Sequence, residues 1–189
     1  MSELLEPFST QILPAGSLEP ERKTDVRRLS DIAAIYQRVP DGHGDPVVYR
    51  VHHMPVPGTN SEIQTSTTVL EAGAVGDEYF MTKGHFHKIR ERSEVYVGLS
   101  GEGLLLMANE AGEHRVLEMR EGTVAYVPGG WAHRSANTGS EPLVFFAAFV
   151  GDAGHDYETV AERGFPVLAV KGSSGPEIVA NPRYLAAAP

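Results

Sequence analysis

Hydrophobic and β-branched residues recur in short runs between Pro46 and Val150, and glycine, proline or aspartate bounds most of these runs. Runs of roughly four to eight such residues are typical of β-strands. No long helical pattern separates them, which favours an antiparallel sandwich or barrel over alternating strands and helices. The pattern therefore predicts an all-β core. The predicted strands are 47–51, 64–70, 78–82, 94–99, 103–108, 115–119, 123–127 and 143–150.

The N-terminal part of the chain is less regular. Residues 1–45 mix proline, glycine and charged residues, and we interpret them as an arm that lies over the core. Within the arm, Asp31 is a candidate N-cap for a short helix through 32–36. A length of 189 residues fits one domain, 1–189, with the barrel core at 46–150.

The C-terminal part, 151–189, is interpreted as a segment that closes the core. It predicts a short helix at 156–163 and one or two further strands within 164–184. The last residues, 185–189, are expected to form a loose tail.

Composition and charge exclude several classes of function. The chain carries 25 acidic and 16 basic residues, for a net charge of −9, which argues against nucleic acid or an anionic membrane surface as the main partner. The one basic cluster, 23–28, is interpreted as solvated surface without a chemical role. The longest apolar run, 143–150, is far shorter than the roughly 20 residues of a membrane-spanning helix. The N-terminus shows no export-signal pattern, so the expected compartment is the cytoplasm.

Histidine and carboxylate are the available metal ligands, because the chain has no cysteine. His85 and His87 are two residues apart, so on a strand both imidazoles point to one face. Glu94 begins a later predicted strand, in which Glu94 and Tyr96 share a face. His133 follows a glycine turn and completes a candidate set of three imidazoles and one carboxylate.

This set suits Fe, Mn, Ni, Zn or Cu and leaves open positions for substrate oxygens or water. For any one histidine alone, a polar residue at a strand end is the better interpretation, and only the combined pattern favours a metal site. His155 lies in a glycine-flanked loop that either folds over the barrel mouth or faces solvent, and spacing does not decide between them. The histidines left out of the site are His43, His52, His53 and His114.

The segments Gly84-His85-Phe86-His87, Glu94-Val95-Tyr96 and 126–134 resemble the two-part metal motif of the cupins, and more narrowly that of the cupin-type phosphoglucose isomerases. The resemblance extends over nearly the whole chain. Its further segments are 26–30, 45–49, 67–70, 82–84, 152–157 and 181–183. It implies an all-β cupin fold, which is a jelly-roll-like antiparallel β-barrel, with an N-terminal arm, short peripheral helices and assembly as a homodimer.

The resemblance also implies a cofactor and a reaction. The implied metal ligands are His85, His87, Glu94 and His133. They would hold one divalent ion per subunit, with Fe²⁺ expected first and Mn²⁺, Ni²⁺ or Zn²⁺ as alternatives. The implied reaction interconverts glucose 6-phosphate and fructose 6-phosphate, either through a cis-enediol with Glu94 as base or by a metal-assisted hydride shift. Tyr96 and His155 would relay protons or hold the ring-opened chain.

A phosphate site built from hydroxyls and backbone is the third implication of the resemblance, and it requires no basic patch. The expected substrate and phosphate residues are Tyr49, Thr68, Thr82, Gly84 and Tyr157. Two positions depart from the family pattern. Gly129-Gly130 stands where relatives often have proline and an aromatic residue, and Phe149 stands where some have tyrosine. Both departures concern the pocket wall rather than the four metal ligands.

Two other functions stay open at this point. A metal-dependent cupin dioxygenase can use a similar set of ligands with O₂ at the open positions, although threonines directed at phosphate count against it. A non-catalytic cupin would bind a sugar or store a metal without turnover. No helix-turn-helix pattern accompanies the predicted barrel, which weakens a sensor role.

Overall fold

The computed structural model describes residues 5–20 and 23–184, and most of its regular elements are strands. The strands are β1 Gln11–Ile12, β2 Leu18–Glu19, β3 Thr24–Arg28, β4 Val47–His53, β5 Ile63–Leu70, β6 Ala74–Val75, β7 Glu78–Tyr79, β8 Glu94–Ser100, β9 Glu102–Asn109, β10 His114–Arg120, β11 Val124–Val127, β12 Trp131–Asn137, β13 Leu143–Val150, β14 Val167–Lys171 and β15 Pro176–Ala180. The helices are α1 Leu29–Ile32, a 3₁₀ helix Ala33–Ile35 and α2 Tyr157–Arg163. The predicted tail, 185–189, lies outside the described residues.

A six-stranded antiparallel sheet is the largest layer of the fold, with the strand order β11-β8-β13-β5-β4-β3. A three-stranded sheet, β10-β9-β12, contributes to the same hydrophobic core. Two smaller sheets, β15-β14-β7-β6 and β1-β2, account for the remaining strands. Over residues 5–20 and 23–184 these sheets stay separate and do not join into one closed barrel. The predicted all-β, antiparallel fold class is confirmed in this layered form.

Alternation along the strands explains which side of the large sheet is buried. In β8, the side chains of Glu94 and Tyr96 and the backbone of Gly98 are buried, whereas Val95 and Val97 are partly exposed. The same alternation was predicted from the sequence, because successive side chains of a strand point to opposite faces. Strand β13 pairs with β5 along its whole length, which holds the centre of the sheet in register.

Two strands near the site were not among the predicted ones. Strand β12 contains the polar run His133-Arg134-Ser135, and β3 carries Asp25 and two arginines within the predicted arm. Both are polar segments that owe their strand form to hydrogen bonds with a neighbour, β9 for β12 and β4 for β3. The predicted strand 78–82 is reduced to β7 and one isolated bridge at Met81.

The short helices agree with the prediction in part. Helix α1 begins at Leu29, so Asp31 lies in its first turn and is not the N-cap. The Asp31 carboxylate instead accepts a hydrogen bond from the backbone N–H of Arg28 at 2.8 Å. Helix α2 agrees with its prediction, and Asp156 caps it by accepting from the backbone N–H of Thr159 at 3.1 Å. No helix in the described part of the chain is long and apolar enough to cross a membrane.

One hydrophobic cluster connects the three predicted parts of the chain. It includes Leu29 and Ile32 from the predicted arm, Phe145 from the centre, and Val160 and Phe165 from the closing segment. Burying an aliphatic or aromatic side chain of this kind contributes about 1.5–3 kcal/mol. The arm and the closing segment therefore stabilise the core. The boundaries of the three parts, after residues 45 and 150, stay predictions.

Candidate metal centre

Hydrogen bonds between distant segments bring the predicted metal ligands together. His85 and His87 lie on an extended segment that belongs to no regular strand. The backbone N–H of His85 donates to the carbonyl of His133 at 3.2 Å, and that of His133 donates to the carbonyl of His85 at 3.0 Å. Glu94 is the first residue of β8. The segment between His87 and Glu94 therefore returns the chain to the same point, as the sequence predicts.

The four predicted ligands form one compact cluster. One ligand atom from each residue lies within 4.8 Å of the others in the set His85, His87, Glu94 and His133. His87 Nε2 lies 3.2 Å from Glu94 Oε2, and His133 Nε2 lies 2.9 Å from the same oxygen. His87, Glu94 and His133 are all at most 4% exposed. The cluster is therefore well shielded from bulk water.

Backbone carbonyls orient two of the imidazoles. His87 Nδ1 lies 2.8 Å from the carbonyl oxygen of Arg92, and His133 Nδ1 lies 3.2 Å from that of Trp131. A carbonyl only accepts, so Nδ1–H is the donor in both pairs. In the neutral form of both rings, which is the form that binds metal, a proton on Nδ1 leaves the Nε2 lone pairs of His87 and His133 available to a metal ion, the usual arrangement around histidine ligands.

The cluster contains buried atoms that a metal ion would satisfy. His85 Nε2 is buried and has no hydrogen-bond partner among the described residues, whereas the buried His133 Nε2 lies against Glu94 Oε2 at 2.9 Å. Such atoms are rare in proteins, because leaving one unsatisfied costs about 1–3 kcal/mol. Three imidazoles and one carboxylate are a suitable donor set for a divalent transition metal. The residues present therefore fit the metal ion that the sequence predicts.

Burial and neighbouring charges control protonation of the cluster. Burial acts to raise the pKa of Glu94, but the positive charge and hydrogen bonding of His133 and His87 outweigh it and lower the pKa to about 2. Burial, reinforced by repulsion from His133, lowers the pKa of His85 well below its usual range. An ionised Glu94 and a neutral His85 are the forms that bind metal. Burial also raises the pKa of Tyr96, so its phenol stays protonated.

A cavity of about 480 Å³ adjoins the cluster. Alternate residues of neighbouring strands form its floor, so that Tyr49 of β4, Thr68 of β5 and Glu94 of β8 all face it. His87 is the one predicted site residue that is not part of the lining. The predicted residues that line the cavity are Tyr49, Thr68, Thr82, Gly84, His85, Glu94, Tyr96, His133, His155 and Tyr157.

The predicted phosphate residues are held by backbone contacts. The Tyr49 hydroxyl accepts a long hydrogen bond from the backbone N–H of Lys83 at 3.5 Å. The Thr82 hydroxyl accepts from the backbone N–H of Ser135 at 3.0 Å. Gly84, two residues further on, has a φ of +76°, a conformation that favours glycine. The segment 82–84 is thereby fixed between Tyr49 and strand β12.

The open question about His155 is decided by tertiary contacts. His155 lines the cavity, and its ring centroid lies 4.3 Å from that of His85. Tyr157 stacks on His155 at 5.6 Å with an interplanar angle of 8°. Burial lowers the pKa of His155 to about 4 and raises that of Tyr157 to about 12, so both side chains are neutral at pH 7.

Ion pairs attach the His155 loop to the loop that follows His87. Arg92 binds Asp152 through two hydrogen bonds of 2.7 and 2.8 Å. Arg90 binds Asp156 at 2.6 Å. Because Asp152 and Asp156 lie on either side of His155, these contacts hold that side chain over the cavity.

The chain is similar to known proteins over nearly its whole length. The family described as glucose-6-phosphate isomerase (GPI) matches residues 21–175. The chain belongs to the cupin-type glucose-6-phosphate isomerase family. It is 42% identical over 185 residues to the glucose-6-phosphate isomerase of Pyrococcus horikoshii, with 95% of this chain and 97% of that protein covered. It is 41% identical over 186 residues to that of Thermococcus litoralis, with 95% and 97% covered. A solved structure similar to it is the formate complex of Lactobacillus farciminis oxalate decarboxylase, with a TM-score of 0.46, 19% identity, and 58% of this chain and 30% of that chain covered.

Some cavity residues were missed by the sequence analysis. The basic segment 23–28 is not simply solvated surface, because Lys23 and Arg27 line the cavity. His53 lines it as well, with Nε2 at 3.0 Å from Asp25 Oδ2, whereas His52 contacts Thr24. The signal that could have identified a strand here is the alternation of charged residues at Lys23, Asp25 and Arg27, which would all point to one face of a strand.

Proposed function

We propose that this protein is a metal-dependent aldose-ketose isomerase that interconverts glucose 6-phosphate and fructose 6-phosphate. The carrying observation is the cluster of four metal-ligating side chains beside a cavity that also presents the hydroxyls of Tyr49, Thr68 and Thr82. Membership of the glucose-6-phosphate isomerase family supports the same reaction. A sugar phosphate matches both features, because it has reactive oxygens at one end and an anion at the other.

One divalent ion per subunit is part of the proposal, with Fe²⁺ first and Mn²⁺, Ni²⁺ or Zn²⁺ as alternatives. When bound, the ion supplies positive charge that stabilises negative charge developing on the C1 and C2 oxygens of the substrate. The protein holds its ligands ready for this, since the carbonyls of Arg92 and Trp131 orient two imidazoles.

Hydrogen transfer between C1 and C2 has two routes at this site. In the first, Glu94 removes the proton from carbon and a cis-enediol forms, while Tyr96 and His155 pass protons between the substrate oxygens. In the second, the hydrogen moves within the substrate as a hydride, and Glu94 only holds the ion. Tyr96 lies two residues beyond Glu94 on the buried face of β8, and His155 adjoins His85, which supports a role for both in relaying protons or in holding the ring-opened chain.

The phosphate of the substrate is proposed to bind at the other side of the cavity. The hydroxyls of Tyr49, Thr68, Thr82 and Tyr157 and the backbone at Gly84 offer donors to its oxygens. Burial raises the pKa of Tyr49 and that of Tyr157, so both phenols keep the proton that they donate.

A coupled assay of fructose 6-phosphate conversion tests the reaction and the metal together. We expect activity that chelation removes and that one of Fe²⁺, Mn²⁺, Ni²⁺ or Zn²⁺ restores. Oxygen uptake without conversion of fructose 6-phosphate would indicate the dioxygenase, and tight sugar binding without turnover would indicate a non-catalytic cupin. The same reaction in D₂O separates the routes, since deuterium at carbon supports the enediol and full retention of protium excludes exchange with solvent.

We also propose one domain per subunit, 1–189, and a homodimer in the cytoplasm. Ile12 and Leu13 are 41% and 38% exposed near the N-terminus, which supports contact with a second copy. A phosphorylated sugar as substrate supports a cytoplasmic site of action, and a net charge of −9 disfavours nucleic acid or a membrane surface as partner. Analytical ultracentrifugation measures the subunit number, and a purely monomeric chain contradicts the dimer.

A further inference from the structure

Two cations flank Tyr49 in the cavity. Arg27 lies on β3, the edge strand next to β4, where its register partner is Tyr49. Lys83 donates its backbone N–H to the Tyr49 hydroxyl at 3.5 Å and lines the same cavity as Arg27. The chain has a net charge of −9, yet it presents local positive charge beside the side-chain hydroxyls that are proposed to bind phosphate.

These two side chains differ from the third cation on the wall, because no carboxylate neutralises them. Lys23 Nζ lies 3.3 Å from Asp25 Oδ2, and the Lys23 side chain is 73% exposed. Among residues 5–20 and 23–184, no acidic side chain lies within ion-pair distance of Arg27 or Lys83. Arg27 donates to the carbonyl of the neighbouring Val26 at 3.1 Å, which uses only one of its donors.

Both cations also lie close to Tyr157. Lys83 Nζ is 4.7 Å from the centroid of the Tyr157 ring. The charge of Arg27 lowers the pKa of Tyr49 and of Tyr157, against the larger effect of burial, which raises both. Arg27, Lys83 and the two phenols therefore surround one part of the cavity.

This part of the cavity adjoins the candidate metal ligands without including them. Lys83 lies two residues before His85, and the Tyr157 ring beside Lys83 has its centroid 5.4 Å from that of His85. Arg27 is further along the sheet, because strands β13, β5 and β4 separate β3 from β8, which carries Glu94. A ligand that contacts both groups therefore has an anionic group at one end and oxygens near the metal ligands at the other.

We propose that Arg27 and Lys83 are specificity-determining residues that bind the phosphate of the substrate and so select phosphorylated over neutral sugars. The inference rests on the proposed function and extends it. The hydroxyls orient the phosphate, and the two cations supply the charge that compensates a dianion withdrawn from water.

The test compares Arg27→Gln and Lys83→Gln with Arg28→Gln in the metal-loaded protein. Arg28 is the matched control, because it is the adjacent arginine of β3, does not line the cavity, and donates to the carbonyl of Asp45 at 2.9 Å. We expect each cavity variant to raise KM for fructose 6-phosphate about tenfold to a hundredfold, since hydrogen bonds to charged groups are strong, with a smaller change in kcat. The dependence of KM on ionic strength should also become shallower in the cavity variants than in Arg28→Gln.

Calorimetric titration with inorganic phosphate provides a readout that does not need turnover. We expect weaker phosphate binding in both cavity variants and unchanged binding in Arg28→Gln. If wild-type protein does not convert fructose 6-phosphate, the proposed function fails, whereas this titration still tests the two cations. Arg27→Lys keeps the charge and covers the case in which Arg27→Gln does not fold, and it should retain most of the phosphate affinity.

Three outcomes overturn the inference. Unchanged KM and phosphate affinity in both cavity variants would show that hydroxyls or the metal bind the phosphate alone. An equal loss in Arg28→Gln would assign the effect to overall charge. A loss of kcat at constant KM would assign Arg27 and Lys83 to the chemistry instead. A loss in one cavity variant only would support that residue and exclude the other.

Discussion

Replacing Gly84 by alanine tests how tightly the phosphate side of the cavity is built. Gly84 has a φ of +76°, and a Cβ there would lie 2.9 Å from Phe165 Cε2 and 3.0 Å from Arg134 Cβ. Gly122 provides a matched control, because its φ is +81° and no described heavy atom lies within 4 Å of its Cβ position. The two substitutions share the backbone conformation and differ in packing.

The structure separates the two contributions to the loss of stability. The left-handed conformation costs a residue with a Cβ about 1–2 kcal/mol, and this applies to both variants. Overpacking against Phe165 and Arg134 adds about 1–3 kcal/mol at Gly84 alone. We therefore expect Gly122→Ala to lower the free energy of unfolding by about 1–2 kcal/mol and Gly84→Ala to lower it by about 2–5 kcal/mol.

The two substitutions should also differ in their effect on KM for fructose 6-phosphate. The extra methyl group pushes the backbone at Gly84 away from Phe165, and the adjacent Lys83 carbonyl, which accepts from Arg134 Nη2 at 2.6 Å, must move with it. A shift of the phosphate donors by a fraction of an ångström raises KM for fructose 6-phosphate about tenfold in Gly84→Ala, and it leaves KM unchanged in Gly122→Ala.

Urea unfolding at fixed metal and protein concentrations measures the stability, and the coupled assay measures KM. Equal stability losses in the two variants would refute the packing argument. A wild-type KM in a folded Gly84→Ala variant would refute the placement of the phosphate at this backbone.

Three further predictions follow from the site and its supporting contacts. His133→Ala removes one of the four candidate ligands, so we expect substoichiometric metal by elemental analysis and activity lower by at least about a hundredfold. Loss of a residue that only supports a metal ligand already costs about tenfold to a hundredfold, and loss of a ligand should cost at least as much. Full metal content with normal activity would contradict the assignment. Tyr49→Phe removes one donor to phosphate and should raise KM about tenfold at nearly constant kcat, and an unchanged KM excludes that contact. Burial acts to raise the pKa of Asp156, but hydrogen bonds from Arg90 and Thr159 lower it to about 2, below its usual 3.8. The unfolded chain therefore takes up this proton first, so the stability contributed by Asp156 is present above about pH 4 and is lost as pH falls towards 2. Asp156→Asn keeps the helix cap and should lose this acid dependence in pH-resolved unfolding, and identical acid profiles for the two proteins would be the contrary result.

Local spacing was sufficient to nominate three of the four candidate metal ligands. His85 and His87 are two residues apart, and a polar turn leads from them to Glu94, so their proximity follows from extended geometry and one chain reversal. The proposed phosphate residues Thr68 and Thr82 have no comparable local signal, since threonine is an ordinary strand residue. Their assignment depended on resemblance to a family, and the cavity now gives it a spatial basis.

The edge of the large sheet shows where sequence analysis was insufficient. Residues 23–28 are charged and were assigned to solvent, yet β3 pairs with β4 and alternate side chains turn into the cavity. A polar segment carries no hydrophobic periodicity, so its strand state depends on hydrogen bonds that only the neighbouring strand supplies. For the same reason β12, which carries His133, was not among the predicted strands.

The sequence by itself determined the strand-rich class of the fold, the absence of cysteine ligands, and the candidate set of three histidines and one glutamate for the proposed metal. These properties depend on composition and on the short-range geometry of an extended chain. Tertiary structure alone decided that His155 lines the cavity, that Arg27 lies beside Tyr49, and that His87 does not line the cavity. Such placements depend on register and packing between segments far apart in the chain, and no local pattern of residues specifies either of them.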